Sequence, residues 1–131
     1  GRGTYEIGLA AGVTNAYRHL RHLVFSTTLT VVDDPAIELV RTDPAERVRE
    51  LKAEEGLDIW LCGGGTLAGA LREEIDELHL KVYPVVLGKG VPLFGTQPSG
   101  AQPVIDRYAL RSAAPFDSGV SLMTYERISS R

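Results

Sequence analysis

The run Cys62-Gly63-Gly64-Gly65-Thr66-Leu67 constrains this chain more than any other segment. It follows a short apolar stretch, Asp58-Ile59-Trp60-Leu61-Cys62, which reads as a central strand. It precedes a helical pattern from Thr66 to about Ile75, with Leu67, Ala70, Leu71 and Ile75 on one face. Three residues without a Cβ let a ligand come close to the backbone. The start of the helix adds unpaired N–H groups and the positive end of its dipole, and Thr66 adds a hydroxyl. Together these favour a phosphate or pyrophosphate. The competing explanation is a tight turn that only lets helix and strand pack. Gly63, Gly65 and Ala68 also fit the dinucleotide spacing G-x-G-x-x-G/A. That fold wants an acid at the end of the next strand, and Tyr83-Pro84-Val85-Val86-Leu87-Gly88 carries none. Gly88-Lys89-Gly90 lacks the upstream glycine and the following Ser or Thr of a nucleotide-triphosphate loop.

Strand and helix patterns surround this turn. A helix is expected from Thr4 to about Leu9, stopped by Gly12. Leu23 to Ser26 and Ile37 to Arg41 read as strands. Asp43 caps a second helix, with Pro44 at its first position, Glu46 completing a capping box and Gly56 as its stop. From Glu77 to Leu87 a strand pattern sends Leu78, Leu80 and Val82 one way and His79, Lys81 and Tyr83 the other. Arg107–Ala113 and Val120–Ile128 predict a terminal antiparallel hairpin. The order predicts an α/β sheet, mostly parallel, with antiparallel strands at one edge.

Length and charge narrow the partners. With 131 residues and no linker or repeat, a single domain over 1–131 is expected. The net charge of −3, without a dense basic patch, argues against nucleic acid and anionic membrane. Cys62 is the only cysteine, so no intramolecular disulfide and no cysteine-based zinc site can form, which fits a reducing cytoplasm. It reads as a small buried hydrophobe, and Trp60 as a core residue. His19, His22 and His79 read as surface or boundary residues, and no metal site is expected. Leu93 and Phe94 suit either a substrate pocket or the end of the sheet.

Four segments, in this order and spacing, resemble the dihydrofolate-reductase-like superfamily. They are Gly1-Arg2-Gly3-Thr4-Tyr5-Glu6, Phe25-Ser26-Thr27-Thr28, Asp58 through Leu67, and Asp76-Glu77-Leu78-His79-Leu80 with Tyr83 through Gly90 and Leu93-Phe94-Gly95. The most similar branch is the C-terminal reductase domain of the bifunctional riboflavin-biosynthesis deaminase-reductase. The resemblance implies a three-layer α-β-α sandwich and NADPH as hydride donor. It places Gly1 and Arg2 near the adenosine side and Thr4 near the pyrophosphate. Ser26, Thr27 and Thr28 would meet the ribose and its 2′-phosphate. Gly63, Gly64, Gly65, Thr66 and Leu67 would hold the pyrophosphate and the nicotinamide half. A 2′-phosphate suits hydroxyls and a cation, and Arg2 can bind it bidentately.

The family's first strand, with the loop and helix after it, would precede Gly1. An N-terminally incomplete domain, short by roughly fifty residues, is therefore expected. The resemblance further implies a small heterocyclic, carbonyl or imine substrate of the dihydrofolate-reductase or ribosylaminopyrimidine-reductase type, and a homodimer. No catalytic residue is assigned. The alternatives are a non-catalytic nucleotide-binding module of the same fold and a Rossmann-type enzyme that uses NADH.

Overall fold

A computed structural model describes residues 1–96 and 100–128. The chain forms two compact units. One comprises 1–74 and 91–96; the other comprises 75–90 and 97–131.

The first unit opens with α1 (Arg2–Ala10), whose end follows from its glycine. Gly12 takes φ 76°, a left-handed value that a side chain disfavours. Its N–H donates to Leu9 O at 2.9 Å, and Val13 N donates to Gly8 O at 2.9 Å, the paired bonds of a Schellman stop. Tyr5 and Leu9, four residues apart, face inward. They pack on β1 (His22–Phe25) and β2 (Ile37–Val40) through Val24, Ile37 and Leu39. Val24 is 1% exposed, and the Tyr5 hydroxyl accepts from Asp33 N at 3.1 Å. β1 and β2 are parallel, with Phe25 opposite Val40. Both strands therefore end at the same rim, where Ser26 N donates to Val40 O at 3.0 Å.

Helix α2 (Pro44–Ala53) begins as its sequence expects. Asp43 accepts from Ala45 N at 2.9 Å and from Glu46 N at 3.0 Å. It ends at Glu54, whose backbone turns extended, so Gly56 is not its stop. The helix after the glycines is also shorter than expected. α3 spans Gly65–Ala70, and a 3₁₀ turn over Arg72–Glu74 replaces its last part.

Asp58–Cys62 is not a strand. A strand needs a place in a hydrogen-bonded ladder, and neither sheet of the described residues includes this segment. Trp60 is 80% exposed, and Cys62 is exposed too, which corrects the expectation of two buried residues.

The second unit is a three-stranded antiparallel sheet in the order β3-β5-β4, formed by β3 (Glu77–Val82), β4 (Tyr108–Pro115) and β5 (Ser121–Arg127). The hairpin is present as expected, while β3 stops at Val82 instead of running to Leu87. Cross-strand pairing puts Leu78 opposite Tyr125 and Leu80 opposite Met123, so these four side chains share one face. The other face carries Glu77, His79, Lys81 and Glu126. At its last residue, Arg127, the central strand β5 is pinned to Ile75 O at 2.7 Å, Asp106 at 3.1 Å and the Tyr108 hydroxyl at 2.7 Å. Asp106 and Arg127, with Ile105, Arg107 and Ile128, border a cavity of about 160 Å³. That is small beside a small-molecule site, and Arg127 already serves the fold there.

Candidate active site

The first turn of α1 is a hub. Tyr5 and Leu9 are drawn into the core, and on the flank beside them Arg2 and Glu6, each three residues earlier, stand one turn apart. Arg2 Nε donates to Glu6 Oε1 at 2.6 Å, and Arg2 Nη1 donates to Thr28 Oγ1 at 2.8 Å. The N-terminal turn also reaches the glycines. A Cβ placed on Gly64 would stand 3.5 Å from Thr4 Oγ1, and one on Gly1 would stand 3.8 Å from Leu67 Cβ. The structure thus brings Gly1, Arg2 and Thr4 against two other expected site segments, Ser26–Thr28 and Gly63–Leu67.

The rim after β1 is a built turn. The Ser26 hydroxyl oxygen accepts from Thr28 N at 3.3 Å and Leu29 N at 2.9 Å, and it lies 3.5 Å from Thr28 Oγ1. Arg41, just past the end of β2, donates from Nη2 to Leu29 O at 2.5 Å and Thr30 O at 3.1 Å. Two guanidinium groups therefore hold three consecutive residues, Thr28 by its side chain and Leu29 and Thr30 by their carbonyls. Thr27 is exposed on the same turn. This is the crevice beyond the carboxyl ends of parallel strands, where α/β sheets commonly receive ligands.

The three glycines have three different reasons to be glycine. Gly63 has φ 75° and open space where its Cβ would be. Gly64 has φ 97° and faces Thr4. A Cβ on Gly65 would sit 2.6 Å from Pro92 O and 3.0 Å from Gly95 N, so close packing accounts for it. Gly69 is tight against Phe94 O in the same way, at 2.5 Å from an added Cβ, and Arg72 lies over the Phe94 ring at 5.8 Å. Phe94 therefore packs on the helix that follows the glycines. The six residues of α3 make a weaker dipole than the longer helix the sequence suggests.

Two contacts near this region had no signal in the sequence. The Tyr17 hydroxyl lies 3.4 Å from Cys62 Sγ, and that hydrogen bond raises the Tyr17 phenol above its ordinary pKa. His22 approaches Asn15 Oδ1 at 3.3 Å through Nδ1, and burial lowers its pKa. Behind the rim, burial alone would raise the Glu38 carboxyl, but hydrogen bonds from Arg21 at 3.1 Å and Arg47 at 2.9 Å hold it below the usual range. Among the described residues no group of three or more His, Cys, Asp or Glu is arranged to hold a metal ion, and no helix is long and apolar enough to cross a membrane.

In chemical terms, a cation, two hydroxyl-bearing residues and an open glycine turn share one helix N-terminus. Comparison with known proteins gives this geometry its context. The model of the RibD C-terminal domain family matches residues 9–122. The chain belongs to that family. A riboflavin-biosynthesis protein, so ascribed, from Shewanella sp. PV-4 superposes on this RibD C-terminal domain with a TM-score of 0.77. It is 26% identical, and the match covers 98% of this chain and 71% of the other. A pyrimidine reductase-like protein from Corynebacterium diphtheriae shares the fold at a TM-score of 0.56 and 21% identity, over 72% of this chain and 39% of its own. The fold is dihydrofolate-reductase-like, as the sequence implied.

Two uncharacterized Bacillus subtilis (strain 168) proteins are also similar. YyaP is 42% identical over 73 residues, covering 54% of this chain and 38% of YyaP. YwjB is 33% identical over 96 residues, covering 72% and 55%. The chain thus spans about half, or less, of the curated relatives it matches.

Glu6 and Arg41 are the residues at this site that the sequence reading missed as participants. Glu6 had a signal, since an acid four residues after Arg2 on a helix makes an ion pair. Arg41 had only its place as the last residue of an expected strand.

Proposed function

We propose that this domain is an NADPH-dependent reductase acting on a small heterocyclic, carbonyl or imine metabolite of pterin-like or ribosylaminopyrimidine-like chemistry. The observation that carries the reading is the convergence on the first turn of α1. There Arg2 meets Thr28, and Thr4 meets the Gly63–Gly64 turn. Family membership supports the reductase class.

The residues fit the cofactor by its charges. Arg2 Nη2 has no partner among the described residues, so one arm of the guanidinium is open to an anion beside the Thr28 and Ser26 hydroxyls. That corner suits a ribose 2′-phosphate. Gly63, with open space at its Cβ position, and Thr4 suit the pyrophosphate. Thr66 and Leu67 continue that wall toward the nicotinamide half, and Thr27 borders the ribose. Bound there, NADPH supplies the hydride. The chain's own work is to fix the dinucleotide along α1 and the two turns and to keep water from its reactive end.

The test is titration of the full-length protein with NADPH and NADH, followed by nicotinamide fluorescence. We expect micromolar binding that favours NADPH. Arg2→Ala should weaken NADPH by about tenfold to a hundredfold, the range for a hydrogen bond to a charged group, and barely change NADH. Turnover with candidate acceptors then separates a reductase from a nucleotide-binding module. No binding of either dinucleotide would overturn the assignment, and equal losses on both would remove Arg2 from the phosphate corner.

A further inference from the structure

We infer that Glu6 sets how sharply this site distinguishes a 2′-phosphorylated dinucleotide from an unphosphorylated one. The inference rests on the reading that Arg2 and Thr28 receive the ribose end of the cofactor. Arg2 is not a free cation. Its Nε edge is bound to Glu6 Oε1 at 2.6 Å, and both side chains stand about half exposed, at 49% and 44%. Nη1 is bound to Thr28, and Nη2 has no partner among the described residues. Any anion that takes the remaining arm shares one guanidinium with a carboxylate on its other side.

Two effects of Glu6 then oppose each other for NADPH. Its bond to Arg2 holds the guanidinium over Thr28. Exposed pairs four residues apart on a helix are worth about a twofold change in an equilibrium. Against this, a phosphate monoester carries about −1.5 to −2 charges. The carboxylate would sit roughly one guanidinium width away, about 5–7 Å. Repulsion at that range in partly screened surroundings is worth several-fold. The repulsion outweighs the positioning. For NADH the sign differs, because a carboxylate is a favourable acceptor for a ribose 2′-hydroxyl. The repulsion of the phosphate and the acceptance of the 2′-hydroxyl both narrow the preference for NADPH.

Glu6→Gln separates charge from geometry, because glutamine keeps the length and its carbonyl oxygen can still accept from Arg2 Nε. With the full-length protein at low salt, Glu6→Gln should bind NADPH about threefold to tenfold more tightly than wild type and bind NADH no better. That gain should shrink at high salt as the charge is screened. A purely structural role for Glu6 would move neither the cofactor ratio nor its salt dependence, and an unchanged unfolding midpoint checks that the fold is intact. A ratio that stays the same or falls in Glu6→Gln overturns the inference. If at the same time wild type prefers NADPH and Arg2→Ala loses it, the cofactor reading survives alone. If wild type binds neither dinucleotide, both fall together.

Discussion

The two units of this chain are built to different standards of packing. In residues 1–74 and 91–96, Tyr5, Val24, Ile37, Val40, Val48, Ala68 and Leu71 are buried apolar residues, and three glycines, Gly65, Gly69 and Gly95, are tight enough that a methyl group would strike backbone. Among the described residues of the other unit none is buried, and even the central strand β5 is only partly covered. Yet that unit has the more extensive hydrogen-bonded ladder, with two antiparallel pairings. Backbone pairing fixes one unit, whereas side-chain packing fixes the other. All residues of the candidate site belong to the packed unit, as expected where donors must be held still to recognise a ligand.

Glycine substitutions probe this contrast with the largest expected effect. Gly65→Ala would place a Cβ 2.6 Å from Pro92 O, and backbone must move to admit it. We expect a loss of about 3 kcal/mol, at the upper end for overpacking. Gly88→Ala in the other unit meets nothing within 4 Å, and its φ of 70° is the only obstacle. There the cost should be about 1–2 kcal/mol. Chemical denaturation of both variants gives the comparison. Equal losses would mean that the space around Gly65 is softer than its geometry indicates.

Core truncation comes next. Val24→Ala removes two methyl groups from a site 1% exposed and should cost about 2 kcal/mol. Leu80→Ala removes more atoms, but from a half-buried position on the sheet face, and should cost about 1 kcal/mol or less. If Leu80→Ala proves the more damaging of the two, that face is covered in solution and the contrast between the units fails.

The contrast also explains what could be read from the sequence. Elements whose pattern is local were legible. α1 and α2 carry their caps and stops nearby in Gly12 and in Asp43-Pro44, and β3 shows its alternation at Leu78, Leu80 and Val82. What depends on a distant neighbour was not. Asp58–Cys62 has the composition of a strand, but a strand exists only with a paired neighbour. Three consecutive glycines announced that side chains were unwelcome, yet only the fold shows that Gly65 yields to Pro92 while Gly63 faces open space. For the candidate site, a family resemblance named Arg2, Thr4 and the Ser26–Thr28 turn, and the fold brings Arg2 to Thr28. The Tyr17–Cys62 contact joins residues far apart in sequence and left no local signal.

A titration gives the smallest expected effect, and one confined to the packed unit. His22 begins β1 beside the buried Asn15, whose Oδ1 takes hydrogen bonds that help fix the turn at Tyr17. Burial lowers the His22 pKa from its ordinary 6.5, with nearby Asp34 opposing. A depressed folded-state value means that the unfolded chain binds the proton more readily. Stability from neutral His22 is therefore fully present above about pH 6.5 and declines as pH falls through the folded-state pKa. Glu38, held below the usual carboxylate range, begins to lose its own contribution only once the pH has fallen into that range. Unfolding midpoints of wild type and His22→Gln, followed from pH 7.5 to about pH 5, should draw together as the pH falls, because only wild type loses stability there through this group. Midpoints that run parallel would show that His22 is as well solvated in the fold as in the unfolded chain. The packed unit would then reach less far toward the start of β1 than its buried residues suggest.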